Sequence, residues 1–226
     1  MTRVHIIGQG RWGQRLASHL QLMGVSVSAS DIGGKPDYTA DAFIIATPPN
    51  VRVGPVLDAV DNGVKKIRIE KPLALNDHEA LGIATYCEEA GVDLTIGFTL
   101  LHHPAYYPLE VGSVGRITAK RIGPARHDLP ARLDLGIHIA AVAAYLDCEL
   151  ELQAEYSDCV HSRWTNIQMV GLRYVVVDEV TGSVDGPHGV HLQMQPDPLE
   201  RDLRAWLDGT HRGTPTIALR AQELVA

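Results

Sequence analysis

The chain has 226 residues, 45% of them hydrophobic, but only two Phe, seven Tyr and three Trp, so its core has to be built mainly from Val, Ile, Leu and Ala. That composition suits one large or two small globular domains. A net charge of −7 with scattered Lys and Arg excludes a nucleic-acid or anionic-membrane binder as the natural expectation.

The apolar runs are interrupted by charge well short of a membrane span. The opening MTRVHIIGQG enters a strand at once and leaves no room for a signal peptide. Cys87, Cys148 and Cys159 lack the spacing of a zinc site or redox pair. A cytoplasmic protein with buried thiols is therefore expected.

In chain order, RVHIIG (3–8) is a short apolar strand. RWGQRLASHLQLMG follows as a helix, with Leu16, Leu20 and Met23 at helical spacing and Gly24 as its stop. VSVSAS (25–30) alternates as a strand and closes on Asp31, and the turn-rich IGGKPDYTA leads to the buried strand of DAFIIATPP. VRVGPVLDAVDNG reads as a helix broken near its start by Pro55 and ended by Gly63. A strand at 66–70, a helix from the N-cap Asn76 to about Ala90 and the strand VDLTIGF complete this half. Strands alternating with helices predict a mostly parallel sheet covered on both faces.

The rhythm changes after Phe98. HHPAYYPLEVG is a turn or short helix, GRITAKRIG a strand, and ARLDLGIHIAAVAAYL a strongly apolar helix. Then ELELQAEY, VHSRW, NIQMVG, LRYVVVDEV and VHLQMQ read as strands separated by turns at Thr181-Gly182 and Asp185-Gly186-Pro187. DPLERDLRAWLDG is an amphipathic helix with Pro198 in its first turn, and a last helix begins at about Leu219.

Two constellations carry chemistry. Gly8-Gln9-Gly10-Arg11-Trp12-Gly13 lies between a strand and a helix, where glycines permit a tight turn, backbone approach to a pyrophosphate and close helix–strand packing. Asp31 ends the next strand, placed to accept from adenosine ribose hydroxyls. Its charge repels a 2′-phosphate and favours NAD, while Lys35 works the other way and leaves NADP open. The second constellation is Asp134 and His138, four apart on the apolar helix, where a carboxylate can orient an imidazole acid/base. A histidine capped by its neighbour within a core is the alternative. The other histidines, His102, His103 and His127 among them, show no ligand spacing, and no metal is expected. Lys71 stands at a strand end in Glu70-Lys71-Pro72, held where a surface lysine would need no fixing.

The order of the glycine motif, ATPP (46–49), EKP (70–72), GF (97–98), VGRI (114–117), DLGIH (134–138) and DPLERDLRAWLDG resembles the Gfo/Idh/MocA oxidoreductases. The resemblance covers nearly the whole chain. It implies an α/β fold: an N-terminal Rossmann dinucleotide-binding domain over 1–98, then a smaller α+β domain over 99–226 with a mostly antiparallel open sheet. It implies Lys71 near the nicotinamide, hydrogen-bonded to the substrate oxygen that becomes a carbonyl, with His138 moving the hydroxyl proton and Asp134 tuning it. Gly8, Gly10, Arg11, Trp12, Gly13, Asp31, Thr47, Pro48, Glu70 and Lys71 would bind the cofactor. The activity implied is NAD(P)-dependent hydride transfer on a sugar, cyclitol or similar small metabolite, in a homo-oligomer (dimer or tetramer) joined through the second sheet.

Other readings are an imine or ketone reductase of a specialised pathway, a relative that retains NAD through elimination or hydrolysis, and a non-catalytic cofactor-binding scaffold. The chain departs from the family in being short. The 32–41 segment is too brief for the usual helix and strand, and Arg52 stands where a histidine is usual. Thr99-Leu100-Leu101 replaces an expected arginine after GF, Ala141 an expected acid, and GPARHDLPAR lacks a glycine run.

Overall fold

The computed structural model describes residues 2–124, 129–158, 162–169, 174–178, 183–185 and 197–226. Cys159, His127, the strand expected at 190–195 and the turn at Thr181-Gly182 lie outside them. The chain divides into two compact units, Met1–Gly97 with Trp206–Pro215, and Phe98–Ala205 with Thr216–Ala226. Residues 206–215, which the sequence pattern places in the second domain, thus return to the first unit.

The first unit is a five-stranded parallel sheet in the order β2-β1-β3-β4-β5. Its strands are β1 (Arg3–Ile7), β2 (Ser26–Ser30), β3 (Ala42–Ile45), β4 (Lys66–Glu70) and β5 (Asp93–Gly97). All four residues of β3 are buried, as expected of a strand in a sheet covered on both faces. Helix α1 (Arg11–Leu22) buries Leu16 and Leu20, one turn apart, and α2 (Val53–Asp61) buries Val56 and Ala59. In α3 (Asp77–Glu89) the Asn76 side chain accepts from the Glu79 amide at 3.0 Å, the expected N-cap.

Pro55 does not break α2. It falls in the first turn, where an amide would have no intrahelical acceptor in any case, and a short 3₁₀ turn, Pro49–Val51, comes before. On the β5 edge, the Ile96 amide donates to the Gly213 carbonyl at 2.7 Å, and Lys66 donates to the Leu207 carbonyl at 3.3 Å. These bonds fasten the 206–215 segment to the first unit.

The second unit holds a mixed sheet in the order β10-β9-β8-β6-β7. Its strands are β6 (Val114–Gly123), β7 (Glu149–Tyr156), β8 (Ser162–Met169), β9 (Tyr174–Asp178) and β10 (Ser183–Asp185). Among these described strands only β6–β7 is a parallel pair; the others are antiparallel. The described parts of VHSRW and NIQMVG, read as two strands, belong to the single strand β8. One face, with Ile117, Ala119, Thr165 and Ile167, is buried, and α4 (Ile137–Leu146) packs against β6 and β7. Helix α5 (Pro198–Asp208) begins with the Leu199 amide donating to Asp197, and α6 (Pro215–Val225) starts four residues before the expected Leu219. No described helix is long and apolar enough to cross a membrane.

Candidate functional site

The cofactor-side candidates all belong to the first unit and sit at the carboxyl ends of its parallel strands. β2 and β3 flank β1, so the chain order reverses there, the crevice in which ligands of such sheets bind. Gly8 follows β1 with φ +107, and its amide donates to the Ser30 carbonyl at 2.8 Å. A Cβ on Gly8 would lie 2.9 Å from the Ala46 carbonyl carbon and oxygen and 3.0 Å from the Thr47 nitrogen. The glycine turn and the ATPP turn are therefore in backbone contact.

A Cβ on Gly13 would stand 1.8 Å from the Gly8 carbonyl oxygen, so that glycine sets the approach of α1 to the turn. At Gly10 a Cβ would meet nothing within 4 Å. Gly10 is also the N-cap of α1, with no side-chain cap bond and no acid in the first turn. Open space in front of an uncapped helix N-terminus suits a pyrophosphate, so these residues fit a dinucleotide.

Asp31 is exposed at the end of β2, its carboxylate accepting from the Gln9 amide at 2.7 Å, which ties the acid to the glycine turn. Arg11 is exposed, and half-buried Trp12 carries the Arg15 guanidinium 5.2 Å from its ring centre. The 32–41 segment contains no helix or strand. Its Tyr38 stacks on Phe43 at 5.7 Å and donates to Asp58. Burial first, then the neighbouring Asp58, pushes the Tyr38 phenol up to about 12.

At the end of β3, Thr47 is buried and Pro48 exposed; at the end of β4, Lys71 is half-buried and follows buried Glu70. Arg68 and Glu70 point to the same face of β4 and form a buried ion pair, with Arg68 0% exposed. A Cβ at Gly97 would reach within 2.4 Å of the Arg68 guanidinium and 2.7 Å of the Glu70 carboxylate. Arg52, 2% exposed, donates to the carbonyls of Glu70, Pro72 and Thr47. Burial pulls its pKa down to about 10, with Glu70 opposing, so it remains a cation at neutral pH.

Asp134 and His138 lie in the second unit. The uniform helix expected there is not uniform: Arg132–Gly136 is a π-helical turn, and α4 proper starts at Ile137. Such turns accompany functional sites more often than ordinary helix does. Asp134 is 4% exposed and lies near Tyr156, whose hydroxyl donates to the Leu129 carbonyl. Burial and then the Asp134 charge raise the Tyr156 pKa. Half-buried His138 meets the Phe98 ring edge-on at 6.1 Å.

Tyr156 and Arg68 escaped the sequence reading, and Arg52 entered it only as a departure, without a role. Only the i, i+2 spacing of Arg68 and Glu70 on one strand hinted at a pair. The Cys87 and Cys148 thiols are buried, which pushes both up to about 11 and leaves them unreactive. Among the described residues no group of three or more His, Cys, Asp or Glu could hold a metal ion.

No protein-family model matches the chain. In sequence it is 28% identical over 206 residues to scyllo-inositol 2-dehydrogenase (NAD(+)) of Bacillus subtilis, across 83% of this chain and 58% of that protein. The chain thus spans less than two thirds of that curated relative. Among solved structures it superposes on a UDP-N-acetylglucosamine 3-dehydrogenase of Acidithiobacillus ferrooxidans with a TM-score of 0.86 and 19% identity, covering 99% of this chain and 95% of that one. A point mutant of a 3-ketoreductase of Actinomadura kijaniata, solved with TDP-benzene and NADP, gives 0.75 and 16%, covering 99% and 95%. The motifs and these likenesses agree: in fold and in sequence the chain is Gfo/Idh/MocA-like.

Proposed function

We propose that this protein is an NAD(P)-dependent oxidoreductase that moves hydride between a nicotinamide and the hydroxyl/carbonyl pair of a sugar, cyclitol or nucleotide-sugar-like metabolite. The observation that carries it is the placement of the glycine turn, Asp31, the Thr47-Pro48 turn and Lys71 at the carboxyl ends of four adjacent parallel strands, with the switch point at β1 among them. The names of the relatives, an inositol dehydrogenase, a nucleotide-sugar dehydrogenase and a ketoreductase, support the substrate class.

Gly8, Gly10, Gly13 and the α1 N-terminus would hold the pyrophosphate, and Asp31 the adenosine ribose. The nicotinamide, when bound, supplies the hydride acceptor or donor. His138 would take the hydroxyl proton as the C–H bond breaks, since an alcohol becomes a carbonyl only when both leave. Lys71 would hydrogen-bond the oxygen on which negative charge develops. Asp134 would hold the imidazole in its productive orientation. A homo-oligomer formed through the second sheet belongs to the same proposal.

A titration with NADH and NADPH in parallel, read by energy transfer from Trp12 and the other tryptophans, tests the cofactor site. Micromolar binding of either supports it, and the tighter one shows whether Asp31 or Lys35 prevails. Lys71→Met should lower turnover about 100-fold or more while leaving NADH affinity within a few fold. Near-normal turnover in that variant sinks the role given to Lys71. A folded protein that binds neither nucleotide is the scaffold instead.

A further inference from the structure

The hydride chemistry gives Arg52 no part, yet this buried cation bridges two of the turns that chemistry uses. Arg52 directly precedes α2. One terminal nitrogen donates to the carbonyls of Glu70 and Pro72, which stand on either side of Lys71 in the chain. The other donates to the Thr47 carbonyl at 2.6 Å. The Glu70 carboxylate is meanwhile engaged by Arg68, so what holds Arg52 by hydrogen bond is main-chain oxygen. Burying a cation is costly unless its donors find partners; here the two terminal nitrogens of the planar fork serve three converging carbonyls, while the buried Nε has no partner among the described residues. An imidazole, with two ring nitrogens, could not serve all three carbonyls.

We propose that Arg52 is a positioning residue that clasps the Thr47-Pro48 turn to the Glu70-Lys71-Pro72 turn and thereby fixes the main chain carrying Lys71 at the sheet edge. The catalytic consequence rests on the function proposed above; the clasp itself rests on the three hydrogen bonds. Without it, both turns keep their sequence but lose their mutual register. The Lys71 ammonium is then less often where the substrate oxygen needs it.

Arg52→Met and Arg52→Lys test this by amide hydrogen exchange, thermal melting, NADH titration and steady-state kinetics. In the Met variant, amides at 46–50 and 70–74 should exchange about tenfold faster or more, while those of β1 and α3 hold their wild-type rates. kcat should fall about tenfold with smaller changes in KM and in NADH affinity. The Lys variant should recover part of both effects, because an ammonium keeps the charge and some donors but not the fork. Exchange that rises evenly across the first unit, or not at all, overturns the clasp, as do Lys and Met variants that behave alike. If the Met variant does not fold, Arg52→Lys and Arg52→Gln are read by the same exchange pattern. A wild-type protein that binds no nucleotide defeats the functional proposal, while the exchange pattern still decides the clasp.

Discussion

Three glycines in one turn do different jobs, and their substitutions should separate binding from folding. At Gly13 an added methyl collides with the Gly8 backbone, where no flexible side chain can yield. Gly13→Ala should cost roughly 1–3 kcal/mol of stability and abolish NADH binding together. Gly10 has φ −63 and open space, so Gly10→Ala should melt like wild type and still lose NADH affinity, because its methyl enters the path of the pyrophosphate. Melting curves and the NADH titration check both, and a Gly10→Ala protein that binds normally removes the pyrophosphate from that position. The glycine spacing made the turn legible in the sequence. Arg52 was legible only as a departure from the usual histidine, since its three acceptors are main-chain carbonyls that no residue letter announces.

Among the elements, periodicity, stop glycines and the Asn76 cap, being local signals, located the described α-helices and strands of the first 98 residues but not the 3₁₀ turn Pro49–Val51. Pro55 misled because a proline inside a helix and one in its first turn look alike until the helix start is known. The π-helical turn at Arg132–Gly136 had no signature of its own; a Cβ on Gly136 would lie 2.4 Å from Leu152, a packing constraint set by β7. The β1–β2 pair also contains a test. His5, 2% exposed, bonds Ser28 at 2.8 Å and Ser30 at 3.0 Å. Burial lowers its pKa from the ordinary 6.5, with the Asp37 charge opposing. The unfolded chain therefore takes up the proton more readily than the fold does. Its contribution to stability is full above about 6.5 and is lost as pH falls toward the lowered folded value. His5→Gln should flatten the decline of the urea midpoint over that acid range, and an unchanged slope would exclude His5 as its source.

For the molecule as a whole, one face of the second sheet is left with half-exposed or exposed side chains, Thr118, Lys120, Glu151, Gln153, Trp164 and Asn166, opposite the buried face. The proposed homo-oligomer uses that face. Size-exclusion chromatography with light scattering at micromolar concentration should give a dimer or tetramer, and Trp164→Glu should shift it toward monomer. A wild-type monomer would count against the proposal. The return of 206–215 to the first unit belongs to this scale too. It rests on Gly213, whose Cβ would lie 2.0 Å from the Ile96 carbonyl oxygen, and on buried Trp206, contacts between residues more than a hundred positions apart. By itself the sequence determined the alternation of strand and helix, the glycine turn, the acid at the end of β2 and the lysine at the end of β4, because each follows from spacing along the chain. Only the tertiary structure decided which main-chain oxygens surround Arg52, that Glu70 pairs with Arg68, that Tyr156 bonds the Leu129 carbonyl and where 206–215 docks. Those depend on what long-range packing brings alongside, and no local pattern encodes the identity of a distant neighbour.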